Sequence, residues 1–130
     1  MKCMIPHFEE EEPASVVLIA GGNDIPNQDI SMDDCKKVAN CLIEGGRTCR
    51  LKYGVQDVYI SSIMPRSNSD FQGNRHRVNK LLRELCKENN FIFIENDNII
   101  LRDHGHYDGI HLNHAGSDML RENLLDALNF

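Results

Sequence analysis

The 130-residue chain carries 20 acidic residues against 14 Lys plus Arg, a formal charge of −6, with five Cys and no Trp. One ordinary domain fits this length and a second core does not; the acidic balance argues against a nucleic-acid partner, because phosphate-backbone binding needs clustered cations. The longest aliphatic run, Val16 to Ala20, is about a quarter of a bilayer span, and the stretch from Cys3 to Ile5 before Pro6 is too short for the apolar part of a secretory leader. No membrane contact is expected, and the chain reads as cytoplasmic.

Residues 1–13 form an acidic N-terminal segment, with Glu9 to Glu12 closed by Pro13, and residues 14–130 form the domain. Ala14 to Ala20 is a continuous apolar strand ending in Gly21-Gly22, and unbroken apolarity implies burial on both faces, as in a parallel sheet. Ser31 begins a helix, with Asp34 three residues on and Ile30 before it, in the manner of a capping box and staple. Cys35, Val38, Ala39 and Leu42 share its inner face, and Gly45-Gly46 supplies the expected stop. A second strand spans about Val55 to Ile63, broken by Pro65; a helix from about Asn74 to Asn89 carries Val78, Leu81, Leu82, Leu85 and Cys86 as one stripe. Phe91 to Ile94 is a third strand. After a long polar loop, Ala115 to Leu128 closes the chain as a helix with Leu120, Leu124, Ala127 and Leu128 inward. Three alternations of strand and helix point to βαβ units with right-handed crossovers, an α/β class with a parallel sheet of about three strands. The five Cys form an odd set without Cys-x-x-Cys spacing, so free thiols are expected, with Cys35 and Cys86 as core filler on helix stripes.

In open α/β sheets, ligands collect beyond the carboxyl ends of the strands. Two segments of distinctive chemistry fall there. Gly21-Gly22-Asn23-Asp24 follows the first strand; it reads either as an ordinary turn or as an Asn amide aimed at a developing oxyanion. The loop after the third strand contains Asp108-Gly109-Ile110-His111. A carboxylate three residues before an imidazole can bond one ring nitrogen and leave the other free as a general base.

Together, Gly-x-Asn-Asp after a buried strand and Asp-x-x-His before the last helix resemble two signature blocks of the SGNH (GDSL-type) hydrolases, a superfamily of esterases, lipases and acetylhydrolases. The resemblance runs from about residue 14 to 130 and includes the Pro after the second strand and the Asp-x-x-His-Leu-Asn-x-x-Gly opening of the final helix. It implies a flavodoxin-like three-layer α/β/α fold, truncated here, with Asn23 as oxyanion-hole donor, His111 as general base and Asp108 orienting it. Gly21, Gly22 and Asp24 would shape the binding turn, the substrate would be a small ester or acyl compound, and no cofactor or metal is implied. The family's nucleophilic Ser belongs to a Gly-Asp-Ser block, and this chain contains neither an Asp-Ser dipeptide nor Gly-x-Ser-x-Gly. Thirteen residues before the first visible strand leave no room for the two strands and two helices that would precede it in family order. Of the seven Ser, Ser62 and Ser67 are the least implausible replacements, and the chain is expected to hydrolyse esters poorly or not at all. In that family order the strand would become an edge at Val16 to Ala20, open to a second copy or to a partner chain supplying the absent strands.

Two other readings compete. His104, His106, His111 and His114 with Asp108 offer five potential metal ligands within eleven residues. A binding or scaffold module could use the cations Arg66, Arg75, His76, Arg77, Lys80 and Arg83. Most of that set reads as a solvated helix face opposite the leucine stripe. Arg66 is the exception: after Pro65, at a strand's carboxyl end, it can reach the cleft of Asn23 and His111 and pair with an anionic group.

Overall fold

A computed structural model describes residues 14–129; Cys3 and the acidic segment lie outside them. Three strands, β1 (Ser15–Leu18), β2 (Asp57–Ser61) and β3 (Ile92–Ile94), form one parallel sheet in the order β1-β2-β3. Val16 aligns with Val58 and Leu18 with Ile60, and Ile60 with Phe93. Both crossovers step the same way, so right-handed connections put their helices on one face. These are α1 (Met32–Tyr53) and α2 (Ser69–Glu88), which pack against each other and against the sheet. Strand side chains alternate in direction: Val58 and Ile60 join the core shared with Cys35, Leu42, Ile43, Phe71, Val78 and Leu82, while Tyr59 and Ser61 are buried on the opposite face.

That opposite face is covered by α4 (His114–Ala127), which is tied to the sheet through amides. Asn123 Nδ2 donates to Asn96 Oδ1 at 2.9 Å, and Asn96 Nδ2 donates to Ser61 Oγ at 2.8 Å. Its contacts are with β3 and with α3 (Leu101–His104), a single turn that the polar loop concealed. The cover stops short of β1, whose outer edge carries no strand among the described residues and whose Ile19 neighbour is 50% exposed. The chain is therefore α/β with a three-stranded parallel sheet, as read from the sequence.

Several element ends differ from expectation. Ser31 caps α1 by accepting from Asp34 N at 3.1 Å, as expected. Gly45-Gly46 does not stop that helix, because a Cβ at Gly46 would lie 2.7 Å from the Phe91 ring and 3.1 Å from Val58. The glycine lets the helix approach the sheet, and the helix runs on to Tyr53, where Gly54 takes the left-handed cap at φ 67°. The second helix starts a turn earlier than expected, at Ser69, because Asn68 caps it by accepting from Phe71 N at 2.9 Å. In α4 only Gly116 is fully buried; Leu120, Leu124, Ala127 and Leu128 are half-buried, so the last helix covers the sheet edge rather than filling a core. The expectation of free thiols holds for Cys35, Cys49 and Cys86, all buried, and fails at Cys41, which is disulfide-bonded. Among the described residues no helix is long and apolar enough to cross a membrane.

Candidate active site

Gly21 follows β1 with φ 101°, a left-handed conformation that favours glycine, and a Cβ there would lie 3.1 Å from both Ile63 and Leu42. The turn over Gly22–Asp24 then closes, with Asp24 N donating to Gly21 O at 3.0 Å. Asn23 is exposed, and its Oδ1 accepts from Arg66 Nη2 at 2.9 Å. An amide whose oxygen is engaged this way keeps its two N–H donors on the other branch. A Cβ at Gly22 would lie 2.9 Å from the same guanidinium nitrogen, so a side chain there would push the tip of Arg66 aside. Arg66 itself lies over the Phe71 ring, 4.8 Å from its centroid, and its backbone N–H donates to Gln72 Oε1.

The second block is an ordered loop. Asp108 Oδ1 accepts from the backbone of Ile110 at 2.8 Å and of His111 at 3.0 Å, while Oδ2 sits 2.6 Å from His111 Nδ1. The His111 ring bond, followed by the two backbone N–H groups, holds the Asp108 carboxyl well below the usual carboxylate range. An ionised acceptor at Nδ1 sets the tautomer with Nε2 unprotonated, and the His111 side chain is 75% exposed. The loop is closed by His106 N to His111 O at 2.8 Å and by Gly109 at φ 72°. Asn113 fixes it to the helix: its side chain donates to Asp103 O and Gly105 O and accepts from Gly116 N at 2.8 Å. A Cβ at Gly116 would collide with His104 O, so only glycine lets α4 begin there.

The two blocks meet across a cleft of about 220 Å3. Ile19, Ala20 and Gly22 line it from the end of β1, Ser62, Ile63, Met64 and Arg66 from the end of β2, and Ile110, His111 and Leu112 from the loop. Gly22, Arg66 and His111 therefore share one cavity, with Asn23 bonded to its rim through Arg66 and Asp108 behind His111. Asp24 departs from this set, facing a separate depression beside Pro26 and Lys37. Arg75 departs from the solvated helix face expected of it. Its Nε donates to Ile63 O at 2.8 Å, and burial lowers its basicity.

No Ser occupies a strand-to-helix elbow among the described residues. The Ser62 hydroxyl is buried and accepts from both Asn96 N and Asn96 Nδ2 at 3.0 Å, which commits it to structure. Ser67 is exposed and packs against the dyad loop: its N–H donates to Gly109 O at 2.8 Å, and a side chain at 109 would collide with its hydroxyl. The histidines are not gathered as a metal site requires. Among the described residues no group of three His, Cys, Asp or Glu could hold an ion; His104 Nδ1 accepts from Ile100 N at 3.0 Å, and His114 faces Asp118 on α4. The apolar walls Ile19, Ile110 and Leu112 were not singled out in the sequence, although each flanks a block that was.

No family model matches the chain, and neither does any curated protein. Among solved structures it is similar to LAE5, an alpha/beta hydrolase enzyme from the metagenome of Lake Arreo, Spain, with a TM-score of 0.66 at 14% identity. The match covers 89% of this chain and 60% of that one, so the chain spans about 60% of its neighbour's length. At this identity the likeness speaks for the α/β fold alone.

Proposed function

We propose that this is an SGNH-type hydrolase-like domain whose cleft binds an acyl ester, with His111 as general base, Asp108 holding it and Asn23 as oxyanion donor. The observation that carries this reading is the 2.6 Å contact of His111 Nδ1 with Asp108 at the mouth of the cleft that Gly22 and Arg66 also line. Without a serine at a strand end, the dyad can activate only water or attack weakly itself, so the chain alone is at most a slow esterase. The test is p-nitrophenyl acetate hydrolysis together with a fluorophosphonate serine probe. Expected are a slow rate lost in His111→Ala and no covalent labelling. A rate equal in both proteins would remove His111 from the chemistry. Labelling of Ser67 that disappears in His111→Ala would instead make Ser67 the nucleophile. A non-catalytic binding module is the second reading, favoured by the structural commitment of Ser62; a wild type with no rate above buffer would select it.

The β1 edge, which carries no further strand among the described residues, supports a further part of the proposal, association with a second copy through Val16–Ala20. An edge strand turns half of its backbone N–H and C=O groups away from the sheet, and beside the half-exposed Ile19 these offer a template for strand pairing. Light scattering at micromolar concentration should give a mass above one chain, and Val17→Pro, which removes a ladder donor, should return it to one. A monomeric wild type would rule this association out.

A further inference from the structure

Arg66 is a cation in a cleft lined by no acidic side chain among the described residues. Four other arginines of the described residues are paired, Arg47 with Glu44, Arg77 with Asp29, Arg83 with Glu95 and Arg102 with Asp103, while Arg121 joins no ion pair but is exposed on α4 and does not line this cleft. Arg50 spends its donors on the carbonyls of Asn89 and Asn90, and Arg75 on that of Ile63. Arg66 joins no ion pair among the described residues, and its side chain makes one hydrogen bond, to the neutral Asn23 amide. A guanidinium has five N–H donors in a planar fork that matches a carboxylate. Phe71 beneath the plane and the bond to Asn23 hold that fork in place, and ordering it in advance lowers the entropic cost of binding.

The remaining walls are aliphatic, chiefly Ile19, Ile63 and Ile110. The volume, about 220 Å3, is below the roughly 300–1,000 Å3 of pockets that take drug-sized ligands. We infer that Arg66 recognises a carboxylate, and that the ligand of this cleft is a small aliphatic compound with one free carboxyl group, whether an acid or an ester that retains one. The short hydrocarbon lies against the isoleucines, and the carboxylate meets Arg66 across from His111. This inference deepens the reading of the cleft as an acyl-ester site and rests on it for the identity of the ester.

The test is binding, read by methyl and amide NMR on the full chain with sodium butyrate, its neutral isostere butyramide, and inorganic phosphate. Butyrate at millimolar concentration should shift the Ile19, Ile63 and Ile110 methyls, and Arg66→Gln, which retains an amide donor for Asn23, should weaken it about tenfold. Butyramide should bind more weakly and be indifferent to the substitution, and phosphate, which has nothing to lay on the isoleucines, should also bind more weakly. Equal affinity for butyrate and butyramide, an Arg66→Gln protein that binds butyrate as well as wild type, phosphate as tight as butyrate, or no methyl shifts would each overturn the inference. Should Arg66→Gln fail to fold, the wild-type preference for butyrate over butyramide decides alone. Butyrate bound at Arg66 in a protein that hydrolyses nothing would leave the inference standing and remove the esterase; hydrolysis indifferent to the anion would do the reverse.

Discussion

Replacing Asp108 by Asn should cut His111-dependent ester hydrolysis by about 10²-fold or more, to the level of His111→Ala, while the protein stays folded. The two consequences separate because the carboxylate does two jobs with two oxygens. Oδ1 accepts from the backbone of Ile110 and His111, and an Asn carbonyl oxygen can do the same. Oδ2 meets His111 Nδ1, where Asn would present an N–H donor instead. The imidazole would then have to accept at Nδ1 and carry its proton on Nε2, which removes the lone pair facing the cleft. An undiminished rate in Asp108→Asn would show that the tautomer is irrelevant to turnover.

The depressed Asp108 carboxyl also has a pH signature of definite sign. Its native value lies below the unfolded one near 3.8, so its stabilising effect is complete above that unfolded value and is lost as pH falls through the native one. Asp108 therefore stays ionised throughout neutral pH and does not itself shape a neutral pH profile of hydrolysis.

Phe71→Ala should destabilise the domain by about 3–5 kcal/mol and lower Tm by roughly 10 °C or more. Phe71 is fully buried in the first turn of α2, between the sheet and α1, so truncation leaves a cavity that the surrounding helices cannot close. A typical domain has about 5–15 kcal/mol in total, which makes this one of the most damaging single changes available. Arg66 would lose the ring beneath it as well. Phe71→Leu keeps most of the volume and should cost distinctly less. Thermal unfolding measures both; a loss of a degree or two in Phe71→Ala would mean that the contact is not part of the core.

The periodic features of the sequence were legible because each has a local cause. The apolar run before Gly21, the Ser31 cap and the leucine stripe of α2 all depend on neighbours within a few residues. Gly45-Gly46 misled for the opposite reason: its role is set by the Phe91 ring, far along the chain, and a glycine pair at a helix–sheet contact has the same spelling as a stop. The continued spacing of Ile43, Gly46, Cys49 and Tyr53 was the available signal that the helix runs on. Asn68 was passed over because the apolar stripe begins later than the cap. For the site, the Asp108–His111 pairing is local and could be read three residues apart. Its meeting with Gly22 and Arg66 depends on strand order, and was legible only once the strands were placed in one parallel sheet. The Asn96 and Asn123 amides that seat α4 carry no sequence pattern at all.

The chemistry proposed for the site depends on Asp108 holding His111 Nδ1 and leaving Nε2 free. Long-range 15N–1H correlation of the neutral imidazole reads this directly. Expected are the Nδ1–H tautomer in the wild type, with an unprotonated Nε2, and the Nε2–H tautomer in Asp108→Asn. A wild-type His111 protonated on Nε2, or one whose tautomer ignores Asp108, would contradict that chemistry.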